Sequence, residues 1–162
     1  VTTLHGTDIT LVGRNPSYKP AVTFSINHSD FVTSVSANLK KETAKFFVVR
    51  KDIEVIPNFT DPSSYSEGRR SNKVLAPGGE KVITHISNFR KVKRITDVVE
   101  IFYRISKKIP SRLVMLGDGP ERERAEEQAR ELGILQSVTF LGKTNEIERV
   151  LRMSDLFLLE FP

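Results

Sequence analysis

Three short stretches combine residue types that could do chemistry. His5-Gly6-Thr7-Asp8 follows a β-branched run, so an imidazole and bare backbone N–H groups would stand at a strand end. Such a pairing suits an anionic or hydroxylated ligand, although a strand-end histidine also serves as a plain structural hydrogen-bonder. In Ser87-Asn88-Phe89-Arg90-Lys91-Val92-Lys93-Arg94, four cations fall where a strand passes into a helix N-terminus. Positive charge is unfavourable there unless an anion such as phosphate compensates it; the plainer reading is a solvated basic loop. Gly117-Asp118-Gly119-Pro120 turns the chain sharply into a helix. It lacks the third glycine of a dinucleotide fingerprint and the Gly-Lys-Ser/Thr of a phosphate-binding P-loop, so locally it reads as a tight turn.

Hydrophobic periodicity places these stretches on elements. Val82 to Ser87, Leu113 to Leu116, Val138 to Leu141 and Leu156 to Leu159 read as short buried strands. Between them lie three helices. In the first, Ile95, Val98, Val99, Phe102, Ile105 and Ile109 recur at helical spacing up to Pro110. Ala125, Ala129 and Leu132 line the second, with Gly133 as its cap, and the third runs from Glu146 to Met153. Strands alternating with helices imply a parallel α/β sheet whose ligands sit at the carboxyl ends of its strands. The first half alternates likewise: strands at Val1 to His5, Phe31 to Val35 and Ile53 to Ile56, and helices from Ala21 to His28 and after a capping Ser36. The expected organisation is a lobe over 1–57, a linker or surface excursion over 58–80 rich in Pro, Ser, Gly and charge, and a second lobe over 81–162.

Composition narrows the classes. With 38% hydrophobic and 28% charged residues among 162, the chain has the balance of a globular protein. Having no cysteine, it can form neither disulfides nor thiolate sites, which suits a cytoplasmic setting. No apolar run approaches the ~18 residues of a membrane span. The 25 Lys+Arg against 20 Asp+Glu could favour nucleic acid, an acidic surface or a phosphorylated small molecule. The basic stretches lack the interleaved aromatics of a single-strand groove, so no nucleic acid is expected. His5, His28 and His85 lack metal-site spacing, and neither metal nor cofactor is expected.

Taken in order, HGTDITLVG (5–13), SDFVTSVS (29–36), IPNF (56–59), HISNFRKVKRITDVV (85–99), LGDGPE (116–121) and FLGK (140–143) resemble the family 4 retaining glycosyltransferases. The pair HGTDIT and HISNFRKVKR is similar, more narrowly, to the members of bacillithiol biosynthesis. The resemblance implies a GT-B fold of two Rossmann-like lobes, acceptor-binding over 1–57 and nucleotide-sugar-binding over 81–162. It implies transfer of N-acetylglucosamine from UDP-GlcNAc to L-malate, the UDP-sugar being substrate rather than cofactor. A homo-oligomer is compatible with it, as are a different acceptor or an inactive anion-binding fragment.

By the same resemblance, Lys93 matches the lysine that holds the donor diphosphate. Asn88 stands where the family often has arginine, with Arg90 as its substitute. Gly117 and Gly119 match the loop lining the nucleotide pocket, and Leu141, Gly142 and Lys143 the segment meeting uracil. His5 matches a histidine near the transferred sugar, Gly6 and Thr7 would shape the malate pocket, and Asp8 would hold the turn. The family's glycine-rich loop has no match here, and Glu160 does not match its sugar-gripping carboxylate pair. The expectation is therefore an internal fragment with both lobes incomplete, inactive and marginally stable alone.

Overall fold

The computed structural model describes residues 1–61 and 71–159. Glu160 and residues 62–70 of the stretch expected to be a linker lie outside the described residues. The chain divides into two compact units, Val1–Asp61 and Pro62–Pro162.

In the first unit, β1 (Thr2–Leu4), β2 (Val32–Ser34) and β3 (Ile53–Val55) form a parallel sheet in that order. Alternation along such short strands separates the faces. Leu4, Val32 and Ile53 enter a core shared with Ile26 of α1 (Lys19–His28) and Leu39 of α2 (Ala37–Phe46). The opposite face carries Thr3 and Thr33, joined by a 3.0 Å hydroxyl bond. Ser36 caps α2 as expected, accepting from the Leu39 N–H at 3.1 Å. Asp8–Val12, read from sequence only as a continuation past a strand end, forms a π-helical turn that buries Ile9.

The second unit holds the parallel sheet β6-β5-β4-β7, made of β4 (Lys81–Ile86), β5 (Ser111–Leu116), β6 (Val138–Gly142) and β7 (Leu156–Phe157). Its central strands are buried on both sides, the condition under which parallel strands read as continuous apolar runs. Ile83, Leu113 and Met115 pack beneath α3 (Ile95–Ser106) and α4 (Arg122–Glu131), with Val98, Val99, Phe102, Ala125 and Ala129 as the facing layer. Val82, Val114 and Leu116 pack on the other side with Val150 of α5 (Ile147–Met153) and with Ala76. Ala76 is fully buried, so the end of the 58–80 stretch contributes to the core rather than serving as surface alone.

Several expected boundaries shift: α1 begins at Lys19 rather than Ala21, and β5 at Ser111 rather than Leu113. α3 ends at Ser106, and Ile109 lies beyond it half exposed; a residue preceding proline is crowded out of helical geometry. β7 pairs with β4 for two residues rather than four, being an edge strand with a neighbour on one side only. α4 closes as its sequence implies, with the Ile134 N–H returning to the Ala129 carbonyl at 2.9 Å past Gly133. Among the described residues no helix is long and apolar enough to cross a membrane.

Phe102 fills the space between α3 and the sheet and has no exposed surface. Phe102→Ala should cost about 3–5 kcal/mol through lost transfer energy and the cavity left behind, read as a lower denaturant midpoint for the second unit's transition.

Candidate functional site

At the carboxyl ends of β4 and β5 the two exit loops lie in direct backbone contact. The Ser87 N–H bonds to the Leu116 carbonyl at 3.1 Å and the Phe89 N–H to Asp118 at 3.0 Å, while Phe89 accepts from the Glu121 N–H at 2.9 Å. This packing needs the glycines. A Cβ on Gly117 would stand 1.8 Å from the Ser87 carbonyl oxygen, and one on Gly119 would stand 2.6 Å from that of Phe89. Both also sit at positive φ, +123° and +156°, where a side chain is strained. What reads locally as a tight turn is therefore the surface against which the cationic loop is laid.

Phe89 anchors that loop from below, fully buried in the core under α3 and α4. Beyond it Lys91–Lys93 form a single 3-10 turn, and Arg94 enters α3 in the left-handed conformation at φ 46°. α3 begins without a side-chain cap. Arg94 is paired with Asp97 in the first helical turn. Arg90, Lys91 and Lys93 have no ion-pair partner among the described residues. Beside an uncapped helix N-terminus, the free N–H groups, the dipole and these side-chain charges all favour negative charge.

Next to this loop lies a depression of about 190 Å³ lined by Ser87, Gly117, Lys143, Thr144 and Ile147 among others. The expected nucleotide residues are thus only partly gathered. Gly117 and Lys143 line the depression; Gly142 supports it, accepting from the Gly117 N–H at 2.8 Å. Leu141 does not line it and is 41% exposed; Gly119 lies one turn away, against Phe89. Asn88 is exposed, its carbonyl accepting from the Arg90 N–H at 2.7 Å. A larger depression of about 560 Å³ between α3 and α4 is lined by Asp97, Glu100, Glu127 and Glu131 against one Arg124, and that balance repels an anion.

In the first unit, His5 directly follows β1 and lines a depression of about 450 Å³ with Thr3, Thr33, Val35, Ile56 and Phe59. Asp8 holds the turn: its carboxylate accepts from the Gly6 N–H at 2.7 Å and from the His5 N–H at 3.3 Å. Gly6 turns the chain at φ 134° and Thr7, exposed, precedes the π-helical turn. Among the described residues no group of three or more His, Asp and Glu could hold a metal ion.

Sequence reasoning named His85 and Ser87 but assigned neither a place in the site. His85 is fully buried, with Nδ1 2.9 Å from the Leu158 carbonyl and Nε2 2.8 Å from Ser87 Oγ. Burial pulls its pKa below the ordinary histidine value, the Leu158 carbonyl opposes this, and the charge of Lys93 reinforces it. The available signal was two polar residues, two apart, where the strand passes into its exit loop.

The similarities to known proteins follow the same division. Residues 1–64 match the family described as Glycosyltransferase Family 4, and residues 67–161 that described as Glycosyl transferases group 1. N-acetyl-alpha-D-glucosaminyl L-malate synthase of Bacillus anthracis is 43% identical over 162 residues, covering 98% of this chain and 42% of that protein. The putative glycosyltransferase EpsF of Bacillus subtilis is 28% identical over 116 residues, 68% of this chain and 30% of its own. Among solved structures, Anabaena HepE in complex with UDP aligns at a TM-score of 0.75 and 18% identity, covering 96% of this chain and 45% of that one. WaaG, a glycosyltransferase involved in lipopolysaccharide biosynthesis, aligns at 0.75 and 13% identity over 99% and 50%. These likenesses show the GT-B fold, and the chain spans less than half the length of the curated relatives it matches.

Two outcomes follow from the site's geometry. Gly117→Ala should displace the two loops and lower the unfolding midpoint, because a methyl at 1.8 Å from a carbonyl oxygen cannot be absorbed by a side-chain rotation. Since the folded His85 holds its pKa below the unfolded value, the unfolded chain takes up the proton first as pH falls. The stability contributed is whole above about pH 6.5 and is lost as pH drops below that value. Wild type should therefore lose stability relative to His85→Asn between neutral and mildly acidic pH, measured by denaturant titration at each pH.

Proposed function

Because the chain belongs to the family 4 glycosyltransferases, we propose that it serves in retaining sugar transfer from a UDP-sugar, with UDP-GlcNAc as donor and L-malate as acceptor. The observation that carries the donor half is the pair Arg90 and Lys93, uncompensated at the uncapped start of α3 beside the depression at the strand ends. The HepE structure is a complex with UDP, which supports a uridine nucleotide as the ligand here. The acceptor half rests on the 43% identity to the L-malate synthase and on the resemblance of the HGTDIT and SNFRKVKR segments to the bacillithiol-pathway members of the family.

In this reading the bond from the sugar's anomeric carbon to the diphosphate breaks, and a bond to the 2-oxygen of malate forms on the same face. The malate hydroxyl proton passes to the departing diphosphate oxygen, so no covalent nucleophile is required. Lys93 and Arg90 stabilise the charge that builds on that diphosphate, a contribution of several kcal/mol in preorganised sites. Gly117, Gly119, Leu141, Gly142 and Lys143 shape the nucleotide end. His5 faces the transferred sugar, and Gly6 and Thr7 shape the malate end. Residues 1–57 are assigned to acceptor binding and residues 81–162 to donor binding.

The test is calorimetric titration of the intact protein with UDP and with adenosine diphosphate. UDP should bind more tightly than adenosine diphosphate, and Lys93→Ala should weaken UDP by roughly 10- to 100-fold. Equal binding of both nucleotides, released by salt, would favour a general anion site instead. With the donor established, release of UDP on adding L-malate, compared with other hydroxy acids, decides the acceptor.

A further inference from the structure

β4 is apolar at Val82, Ile83 and Ile86, yet it places a fully buried imidazole at position 85. A valine or isoleucine would pack there without needing hydrogen-bond partners, and a buried polar ring is tolerated only when both nitrogens are satisfied. Both are. The Leu158 carbonyl can only accept, so Nδ1 carries the proton; in the neutral ring Nε2 is then an acceptor, and the bond to Ser87 Oγ must be donated by the hydroxyl. Burial and the nearby charge of Lys93 keep the ring neutral, which fixes this direction.

Each bond reaches a different part of the site's frame. Leu158 lies one residue past the two-residue strand β7, where its own N–H bonds to the Thr84 carbonyl at 2.8 Å. His85 thus continues the attachment of β7 to β4 after the strand itself has ended. Ser87 begins the loop carrying Arg90 and Lys93, and it lines the depression at the strand ends. Its backbone is already fixed between the Leu116 carbonyl and Gly117; His85 fixes the remaining freedom, the hydroxyl.

We infer that His85 is a positioning residue for the nucleotide pocket: it ties the end of β7 to the loop after β4 and consumes the Ser87 hydroxyl proton, leaving Ser87 Oγ to present lone pairs alone to the bound nucleotide. A donor group on the ligand, a ribose hydroxyl or a base N–H, is the chemistry this oxygen selects. The inference rests on the donor reading above and deepens it.

The test uses the intact protein with three single substitutions and one double. Ser87→Ala deletes the hydroxyl. His85→Asn keeps an amide donor near the Leu158 carbonyl and removes the Nε2 acceptor. Each should raise the Kd for UDP and the KM for the UDP-sugar about tenfold, the scale of one well-placed hydrogen bond, with kcat changing less than KM. Because the two residues act as one unit, the double variant should be no weaker than the weaker single. Unchanged UDP affinity in Ser87→Ala, or single effects that multiply in the double, would reduce His85 to a satisfied core residue and overturn the inference. Lys93→Ala separates the failures. If it weakens UDP binding while Ser87→Ala does not, only this inference falls; if it too leaves binding unchanged, the donor reading falls with it. Should His85→Asn fail to fold, Ser87→Ala alone decides.

Discussion

The second unit is organised around the approach of two loop backbones closer than any side chain permits. Ser87 and Phe89 on one loop meet Gly117 and Gly119 on the other, joined by hydrogen bonds between 2.9 and 3.1 Å. Everything at the strand ends inherits its position from that contact. Phe89 can drop into the core because its backbone is held on both sides by the α4 entry. Arg90 and Lys93 then emerge at the start of α3, and Ser87 and Gly117 become the floor of the adjoining depression. Loosen the approach and the cations lose their common frame, although the sheet beneath could survive.

The burial of the sheet explains why such a contact can be held. β4 and β5 are covered on both faces, by α3 and α4 on one and by α5 with Ala76 on the other, so neither strand can shift to relieve crowding above it. Close-packed interiors transmit strain rather than absorb it. The three-stranded sheet of the first unit differs. Its core lies on the Leu4, Val32 and Ile53 side, while Thr3 and Thr33 face the depression that His5 lines. One sheet carries a rigid rim at its strand ends, and the other a partly polar face.

Charge completes the division of labour. A helix start normally attracts acidic residues, and Asp97 meets that preference by pairing with Arg94. The remaining cations oppose it, which costs stability unless an anion arrives. Binding a diphosphate would therefore relieve an unfavourable arrangement as well as form new contacts. His85 belongs to the same arrangement, since the charge of Lys93 helps keep its ring neutral and so orients Ser87.

Much of this was legible in the residues themselves. Periodicity located the four strands and three α-helices described in the second unit, though not its 3-10 turns, because a doubly covered parallel sheet imposes long apolar runs and amphipathic helices. Ser36 announced a helix start and Gly133 a helix end, since capping is a local effect that a few neighbouring residues specify. The π-helical turn after Asp8, the early end of α3 and the two-residue β7 were not legible; each depends on which neighbour an element meets. The same limit governed the site. Gly117 and Gly119 resemble any turn until the opposing carbonyls are placed against them. His85 resembles an isolated histidine until Leu158, 73 residues away, closes its second bond. Local chemistry is written in sequence, whereas the partner of a buried polar group or of a missing Cβ is fixed only when the folded chain brings distant backbone to it.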